Sequence, residues 1–425
     1  MRKFLAAALF AALASIQGCG GGGGGSNSSA APPATNTVGT GSSSAAAPAT
    51  PAANTIAAAG QNVQPIAVNS GLGSSVDQAF TSVTLCAPGS TSCQTIDNVF
   101  VDTASSGLRI VSTALSASLA LTQQMDAGGN PVVECAQFAD GSTWGSVKLA
   151  DLKIAGEQAS SLPIQVIGDS DFPTVPRSCS RNGPLRNTVQ NLHANGILGV
   201  GVFRQDCGAF CASTISGLYY VCPASGCRAV VMPVDKQVQN PVAMFAADNN
   251  GVIIELPSVA AAGAAGVSGS LVFGIGTRAN NTLGTATVVA LDPSTGQFTT
   301  LYNGGTYAAS FVDSGSNALF FHDTGIPVCA NGGAAPGFYC PAATISAAAV
   351  IQGANGASAG VNFSIANAES LLTSNPDFAA FGNLGAPEFA ANTFDWGLPF
   401  FFGRNVFTAI EGANTPGGPG PYIAF

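Results

Sequence analysis

Two nine-residue segments of this chain share one pattern, and the duplication predicts two related halves. The first, residues 100–108, reads FVDTASSGL, and the second, residues 311–319, reads FVDSGSNAL. In each segment two apolar residues lead to an aspartate, which is followed by a hydroxyl residue, a small residue and a serine. A strand that ends in aspartate and turns through small residues presents a carboxylate at a loop tip. Each half therefore contributes one such aspartate, Asp102 and Asp313.

If the two loop tips face each other, Asp102 and Asp313 form a pair of carboxyl groups. Two close carboxylates do not both ionise easily, so they share a proton and can act together as acid and base. The alternative interpretation is that both are ordinary turn residues, since aspartate is common in turns. The matched flanking residues favour the pair.

The composition favours an all-β protein with many turns. Only 8% of the 425 residues are charged, and the chain contains 53 glycines and 25 prolines. Short apolar runs between glycine, asparagine, aspartate and proline predict strands at Ser82–Leu85, Val99–Val101, Val147–Ile154, Ile164–Ile167 and Val252–Leu256. The formal net charge of −9 argues against a nucleic-acid partner, because such a partner requires a basic surface.

Few segments have the periodicity of an amphipathic helix. Leu115–Gln124 and Ala366–Leu372 are the helix candidates. The alanine-rich residues 259–267 and 342–359 are interpreted as surface loops or short helices.

The N-terminus is predicted to be a targeting segment. Arg2 and Lys3 precede a short apolar run, and residues 16–19, IQGC, resemble the bacterial lipobox. The resemblance implies that residues 1–18 are a signal peptide and that the thiol of Cys19 is lipidated; an ordinary signal peptide with an incidental cysteine is the alternative. Residues 19–62, rich in glycine, serine, alanine and proline, are interpreted as a flexible tether.

These features predict a lipid-anchored protein of the bacterial cell envelope, at the outer membrane. Contact with the membrane is expected through the lipid on Cys19.

Ten cysteines follow Cys19, and an even number in an exported protein indicates disulfides. The predicted pairs are Cys86 with Cys93, Cys329 with Cys340, Cys135 with Cys179, and Cys207, Cys211, Cys222 and Cys227 among themselves. No metal or other cofactor is expected, since the chain has two histidines and no Cys-x-x-Cys pair.

Several segments, in order between residues 65 and 412, resemble the pepsin-like aspartic peptidases. The two aspartate loops are similar to the Asp-Thr/Ser-Gly-Ser/Thr loop that each lobe of that family supplies. Further segments resemble the family's flap, the start of its second lobe and the stretches beneath its two loops: residues 138–145, 240–242, 269–274, 195–201 and 397–407. The chain also resembles a group of bacterial lipoproteins of unknown function that carry the same motifs.

The resemblance implies an all-β, bilobal fold with a cleft between an N-terminal lobe, residues 63–238, and a C-terminal lobe, residues 239–425. It also implies an endopeptidase in which Asp102 and Asp313 activate a water molecule. The substrate would be an extended peptide or protein, bound by a chain that is a monomer by default.

The resemblance assigns further roles around the dyad. The residues that would support the dyad are Thr103, Ser105, Ser314 and Ser316. The flap residues expected beside the substrate are Phe138, Asp140, Gly141, Ser142 and Trp144. For Trp144 the alternative is a hairpin residue whose ring lies on the surface of the lobe.

Three residues depart from the family pattern. Ala104 replaces a glycine, Phe138 stands where the flap usually has tyrosine, and Arg109 replaces an aromatic residue. Arg109 is a candidate modulator of the dyad, because a nearby cation favours ionisation of both carboxyl groups. These departures favour an alternative function, a catalytically inactive module that binds peptide or envelope polymer. A purely structural envelope protein, with its cleft filled by its own loops, is a third hypothesis.

Overall fold

The computed structural model describes residues 55–425 except Ser74, Asn182 and Phe389. The predicted signal peptide, Cys19 and most of the predicted tether therefore lie outside the described residues. Within them the protein is all-β, as its composition predicts, with short helices between the strands. None of these helices has the length and apolar character needed to span a membrane.

The strands before the predicted boundary at residue 239 are β1 (Val63–Val68), β2 (Ala79–Cys86), β3 (Cys93–Asp102), β4 (Ser106–Val111), β5 (Thr122–Gln123), β6 (Val132–Phe138), β7 (Gly141–Ile154), β8 (Glu157–Ile167), β9 (Gly196–Val200), β10 (Tyr219–Val221) and β11 (Arg228–Ala229). The strands after it are β12 (Gly251–Leu256), β13 (Val267–Phe273), β14 (Val288–Ala290), β15 (Phe298–Tyr302), β16 (Gly305–Val312), β17 (Leu319–Phe321), β18 (Ile345–Gln352), β19 (Ser358–Ile365), β20 (Gly385–Ala386), β21 (Phe394–Trp396), β22 (Arg404–Ala409), β23 (Asn414–Thr415), β24 (Gly418–Pro419) and β25 (Tyr422–Ala424). The α-helices are α1 (Arg177–Ser180), α2 (Val189–Leu192), α3 (Gly208–Ser213) and α4 (Ala368–Ser374), and the 3₁₀ turns are Ser112–Ala114, Val234–Lys236, Pro241–Met244 and Leu398–Phe400. All five strands predicted from apolar runs lie within β2, β3, β7, β8 and β12.

One large sheet joins the two halves of the chain. It contains sixteen strands, and its order places β1 of the first half beside β13 of the second, with β12, β22 and β25 following. A second sheet of seven strands is built from the second half alone. The aspartate loops leave the ends of β3, in the large sheet, and β16, in the second sheet, so each loop starts from a strand that is paired on both sides.

The two halves repeat one strand arrangement around their aspartate loops. In the first half β3 runs parallel to β9, with Phe100 opposite Ile197. In the second half β16 runs parallel to β21, with Phe311 opposite Asp395. In both halves, a strand from later in the chain runs parallel to the strand that leads into the aspartate loop. This confirms that the duplicated sequence pattern reflects duplicated local structure.

Apolar side chains on these strands form the core that holds the loops. The second half has an aromatic stack at its centre, in which the Phe394 ring lies 4.7 Å from Phe321 and 4.3 Å from Trp396. The Trp396 indole donates a hydrogen bond of 3.0 Å to Thr300. Stacked and edge-on aromatic pairs add to the free energy of burial, so β21 is fixed firmly beneath its loop.

Two predictions about secondary structure are wrong. Leu115–Gln124 is not a helix, because its end forms β5, in which Thr122 lies opposite Leu149. The alanine-rich stretch at 342–359 contains β18, whose Ala349 and Ile351 are buried with the period of two that a half-buried strand requires. The helix predicted at Ala366–Leu372 is present as α4.

Five disulfides join cysteines of the described part of the chain, and they confirm the predicted pairing. They are Cys86–Cys93, Cys135–Cys179, Cys207–Cys211, Cys222–Cys227 and Cys329–Cys340. The group of four cysteines therefore divides into its two sequence-adjacent pairs.

Candidate functional site

Asp102 is held at the tip of the first loop by three hydrogen bonds from within the loop. The backbone N–H of Ala104 donates to Asp102 Oδ1 at 2.8 Å, and the N–H of Ser105 donates to the same oxygen at 3.1 Å. The Ser105 hydroxyl donates to Asp102 Oδ2 at 2.6 Å. Ala104 adopts no positive φ, so alanine in place of glycine does not strain this backbone.

Asp313 is held in the same way in the second loop. The N–H of Gly315 donates to Asp313 Oδ1 at 2.7 Å, and the Ser316 hydroxyl lies 2.7 Å from Asp313 Oδ2. A methyl group on Gly315 would lie 3.0 Å from Asp313 Oδ1 and 3.1 Å from Asp102 Cγ. The two carboxyl groups therefore converge on one small space, and glycine leaves room for both.

Thr103 and Ser314 lock the two loops together. The N–H of Thr103 donates to Ser314 Oγ at 3.1 Å, and the N–H of Ser314 donates to Thr103 Oγ1 at 2.9 Å. Each hydroxyl then donates across the interface, Thr103 to the carbonyl of Val312 at 3.2 Å and Ser314 to the carbonyl of Val101 at 2.8 Å. This reciprocal set of four bonds fixes the separation of the two aspartates.

The carboxyl groups of Asp102 and Asp313 are hydrogen-bonded to each other and fully buried. Burial raises the pKa of Asp102, although bonds from Ser105 and Ala104 oppose the change. Burial, and then the charge of Asp102, raise the pKa of Asp313 well above its usual range. The pair accordingly retains a shared proton at pH values where an isolated aspartate would be ionised.

Arg109 does not pair with the dyad. Its guanidinium lies 2.6 Å from Glu134 Oε1 and 3.3 Å from Asp206 Oδ2. It also donates to the carbonyl of Ser106 at 3.0 Å. Burial would lower the pKa of Arg109, but the charges of Glu134 and Asp206 raise it above its usual value. The cation that the sequence places near the dyad is thus neutralised within its own buried network.

Two of the three departures from the family pattern contact each other. The guanidinium carbon of Arg109 lies 5.9 Å from the centroid of the Phe138 ring, a cation–π distance. Phe138 is the last residue of β6, where the turn into β7 begins. Arginine and phenylalanine at these two positions therefore form one unit that joins β4 to the β6–β7 turn.

The turn at residues 138–141 is held on its outer side by residues 183–187. Arg186 forms an ion pair of 2.7 Å with Asp140, and its N–H donates to the carbonyl of Ser142 at 2.8 Å. The N–H of Ser142 donates to the carbonyl of Pro184 at 3.0 Å. Gly141 packs against the same segment, since a methyl group there would lie 2.4 Å from the Pro184 oxygen.

Trp144 is in the interior. Its indole donates a hydrogen bond of 2.8 Å to the carbonyl of Phe172, and its ring packs edge-on against Tyr220 at 5.1 Å. It therefore braces the base of the hairpin.

A cavity of about 260 Å³ opens beside the first aspartate loop. Its walls come from the first loop, the turn between β6 and β7, residues 202–206 and the second half of the chain. Its exposed surface is mostly apolar, from residues such as Ala104, Phe298 and Phe311, and polar residues, among them Asp206 and Glu388, also line it. The cavity has the size and the lining of a site for one apolar side chain or a short segment of peptide.

Comparison with known proteins identifies the family. The family model described as "Protein of unknown function (DUF3443)" matches residues 58–425. This chain belongs to that family. No curated protein matches the sequence. Among solved structures, this DUF3443 protein is similar to an aspartic proteinase from Irpex lacteus, with 14% sequence identity, a TM-score of 0.49, and coverage of 85% of this chain and 96% of that chain.

Sequence reasoning missed three buried acids of this DUF3443 protein. Glu134 and Asp206 hold Arg109, and Asp395 contacts Ser316 beside the dyad at 2.6 Å. The sequence did contain a signal for Asp395, a single acid in the otherwise apolar run at residues 394–402. An isolated acid among large apolar residues is rarely left without a buried partner.

Proposed function

We propose that this protein is an aspartic endopeptidase with a bilobal, pepsin-like architecture. The lobes are residues 63–238 and 239–425, and Asp102 and Asp313 form the catalytic dyad. The observation that carries the proposal is the reciprocal lock between Thr103 and Ser314, which brings two buried carboxyl groups into one hydrogen bond. Such an arrangement costs free energy unless the two groups share a proton.

The geometry supports a two-carboxyl mechanism. Ionised Asp102 takes a proton from a water molecule as that water attacks the scissile carbonyl carbon, and protonated Asp313 gives its proton to the carbonyl oxygen. The resulting diol intermediate collapses when Asp102 passes its proton to the leaving nitrogen. The carbon–nitrogen bond then breaks, and Asp313 recovers its proton from a diol hydroxyl, which restores the dyad.

The substrate in this proposal is an extended peptide or protein segment lying between the dyad and the flap. Phe138, Asp140, Gly141 and Ser142 form the flap side of the site, and the apolar cavity accepts a side chain. Backbone hydrogen bonds to a flap edge are a common way to hold an extended peptide. The clamp on the flap from Arg186 supports a closed, water-excluding position for this edge.

Anchoring by a lipid on Cys19 at the bacterial outer membrane completes the proposal. Its support is the lipobox-like sequence at residues 16–19 and the uncharged segment that follows. Mass spectrometry of the mature N-terminus tests it, since Cys19 with lipid on its thiol is expected as the first residue.

One observation favours the alternative, a catalytically inactive module that binds peptide or envelope polymer. Both aspartate side chains have no exposed surface, so a substrate carbonyl reaches them only after the surrounding groups move. Peptide binding, measured beside cleavage, distinguishes the two functions, because an inactive module cleaves no peptide and retains ligand binding after either aspartate is replaced.

The deciding experiment is cleavage of a peptide library by the full protein between about pH 3 and about pH 8. Asp102→Asn and Asp313→Asn are each expected to abolish cleavage. Asp126→Asn is the matched control, because Asp126 is a turn residue outside the lining of the cavity whose carboxylate accepts from the N–H groups of Gly128 and Asn130. Cleavage that persists in both dyad variants, or no cleavage by folded wild type, would overturn the peptidase proposal.

A further inference from the structure

A third aspartate lies beside the dyad, in the second half of the molecule only. Asp395 is in β21, opposite Phe311, and Ile197 occupies the equivalent position opposite Phe100 in the first half. The antiparallel pairings on the other side of these strands give the same correspondence. Asp395 lies opposite Phe320 in the second half, and Ile197 lies opposite Arg109 in the first. At equivalent positions, the second half of the molecule therefore has an acid and the first half has an aliphatic residue.

Ser316 joins Asp395 to the dyad. Its Oγ lies 2.7 Å from Asp313 Oδ2 and 2.6 Å from Asp395 Oδ2. A hydroxyl has one proton, so it donates to only one of these two oxygens. The other short contact requires a protonated carboxyl group that donates to Ser316 Oγ. The bond between Asp313 and Asp102 requires a further proton. Three carboxyl groups therefore hold two protons and one negative charge.

The environment of Asp395 shows which carboxyl group donates to Ser316. Asp395 is completely buried, and its Oδ1 has no hydrogen-bond partner among the residues that the structure describes. The charged groups that face it are the carboxyl groups of Asp313, Glu388 and Asp102, and each opposes its ionisation. A buried carboxylate with an unpaired oxygen and acidic neighbours is costly, so Asp395 is the group that stays neutral and donates.

We propose that Asp395 is a positioning residue for the dyad: protonated Asp395 donates to Ser316 Oγ, which turns the Ser316 hydroxyl toward Asp313 Oδ2 and gives the negative charge of the dyad one more hydrogen-bond donor. This inference rests on the proposed peptidase function and adds a third acid to it. Asp395 touches neither the substrate nor the water in this scheme. It acts through Ser316, by keeping that hydroxyl a donor to the dyad.

The scheme predicts which proton leaves next as the pH rises. The proton of Asp313 is shared with a carboxylate, whereas the proton of Asp395 is shared with a neutral hydroxyl, so Asp395 ionises first. Its ionisation turns the Ser316 hydroxyl away from Asp313 and adds a second charge beside the dyad. The alkaline limit of activity is therefore set by Asp395.

The test is the pH profile of kcat/KM for the full protein and two variants. In Asp395→Asn the side-chain amide donates to Ser316 at every pH, so the alkaline limb is expected to move up by about one pH unit with the acid limb unchanged. In Asp395→Leu the donor is lost, and kcat is expected to fall about tenfold with little change in KM. A uniform loss of activity in Asp395→Asn, with both limbs in place, would show a merely structural role and overturn the proposal.

Asp77→Asn is the matched control. Asp77 is equally buried and accepts a 2.7 Å bond from the N–H of Phe381, and no described residue bonds its Oδ2. It is not bonded to Ser316, so both limbs are expected to keep their wild-type positions. If the alkaline limb shifted equally in Asp77→Asn and Asp395→Asn, its position would depend on the replacement of any buried acid, and the proposal would fail.

A second readout does not require catalysis, so it separates this inference from the peptidase proposal. In protein labelled with ¹³C at the aspartate carboxyl carbons, Asp313 is expected to show two titration steps, assigned with Asp313→Asn. The first step should vanish in Asp395→Asn and persist in Asp77→Asn. Identical titration of Asp313 in wild type and Asp395→Asn would overturn the inference, whether or not peptides are cleaved.

Discussion

Thr103 and Ser314 exchange hydrogen bonds across the two halves, each accepting the other's backbone N–H on its side-chain hydroxyl. Equivalent residues of the duplicated pattern thus contact each other directly. Since the aspartates directly precede these two residues, the lock sets the geometry of the dyad.

Thr103→Val is expected to destabilise the protein and to misplace the dyad. Valine keeps the shape of threonine but leaves the Ser314 N–H and the Val312 carbonyl buried without partners. Each orphaned group costs about 1–3 kcal/mol, so the free energy of unfolding in urea should fall by at least that amount. Thr103→Ser retains the hydroxyl and should lie close to wild type.

Thr84→Val serves as the control for this substitution. Thr84 shares a 2.8 Å hydrogen bond with Thr95 on the protein surface, and its loss should change stability by about 0.5 kcal/mol or less. Equal effects of the two valine substitutions would contradict a special role for the lock.

Gly315→Ala is expected to impair activity through crowding of the two carboxyl groups. The new methyl carbon would lie 3.0 Å from Asp313 Oδ1 and 3.1 Å from Asp102 Cγ, closer than such contacts normally approach. Displacement of either group weakens the shared hydrogen bond, so kcat should fall about tenfold or more. Ala104→Gly, at the matching position of the first loop, should retain wild-type kcat. Full activity in Gly315→Ala would contradict the close approach of the two aspartates.

Arg109→Met is expected to be strongly destabilising. The substitution leaves Glu134 and Asp206 buried without their cation, a change that typically costs about 3–5 kcal/mol. Arg228→Met, at an exposed position, should have an effect of about 0.5 kcal/mol or less. Thermal unfolding of the purified variants measures both.

Arg109 offers a second measurement, on the dyad itself. Glu134 and Asp206 neutralise the charge of Arg109, so folded Arg109→Met, which lacks that charge, should keep the acid limb of the pH–activity profile in its wild-type position. An upward shift of that limb would show instead that Arg109 promotes ionisation of Asp102.

The aspartate loops could be predicted from the sequence because the information is local and occurs twice. An apolar pair, an aspartate and small hydroxyl residues define the loop wherever they occur, and apolar runs marked the strands on either side. The disulfides were predictable for a similar reason, since four of the five join cysteines within eleven residues of each other.

The buried acids Asp395 and Asp206 were not predictable, because contacts between distant parts of the chain place them. Asp395 reaches Ser316 across 79 residues of chain, and Asp206 reaches Arg109 across 97. A shift of one residue in the pairing of β21 would point Asp395 to the opposite face of the sheet, and Asp206 lies in the loop between β9 and α3, which only the tertiary fold brings to Arg109. The helix predicted at Leu115–Gln124 failed for a related reason, since pairing of Thr122 with Leu149 overrides local periodicity.

Glu255 is expected to make the folded state less stable as the pH rises toward neutrality. This residue of β12 accepts a 2.6 Å bond from the N–H of Ala57 and a 3.2 Å bond from Asn405. Burial raises the pKa of Glu255 to about 7, above its usual value of 4.5, although the bond from Ala57 opposes the change. The folded state therefore binds the proton more tightly than the unfolded chain does.

The sign of the dependence follows from linkage between protonation and folding. The contribution of Glu255 to stability is fully present below about pH 4.5 and is lost as the pH rises through about 7. Glu255→Gln removes this proton but retains an oxygen for Ala57 and gains a donor for the unpaired Oδ1 of Asn405. The melting temperature of this variant should fall less than that of wild type between these two pH values. Glu411→Gln, which alters a carboxylate that accepts from the N–H of Arg204, should follow wild type. A wild-type slope in Glu255→Gln would mean that other buried acids account for the whole effect.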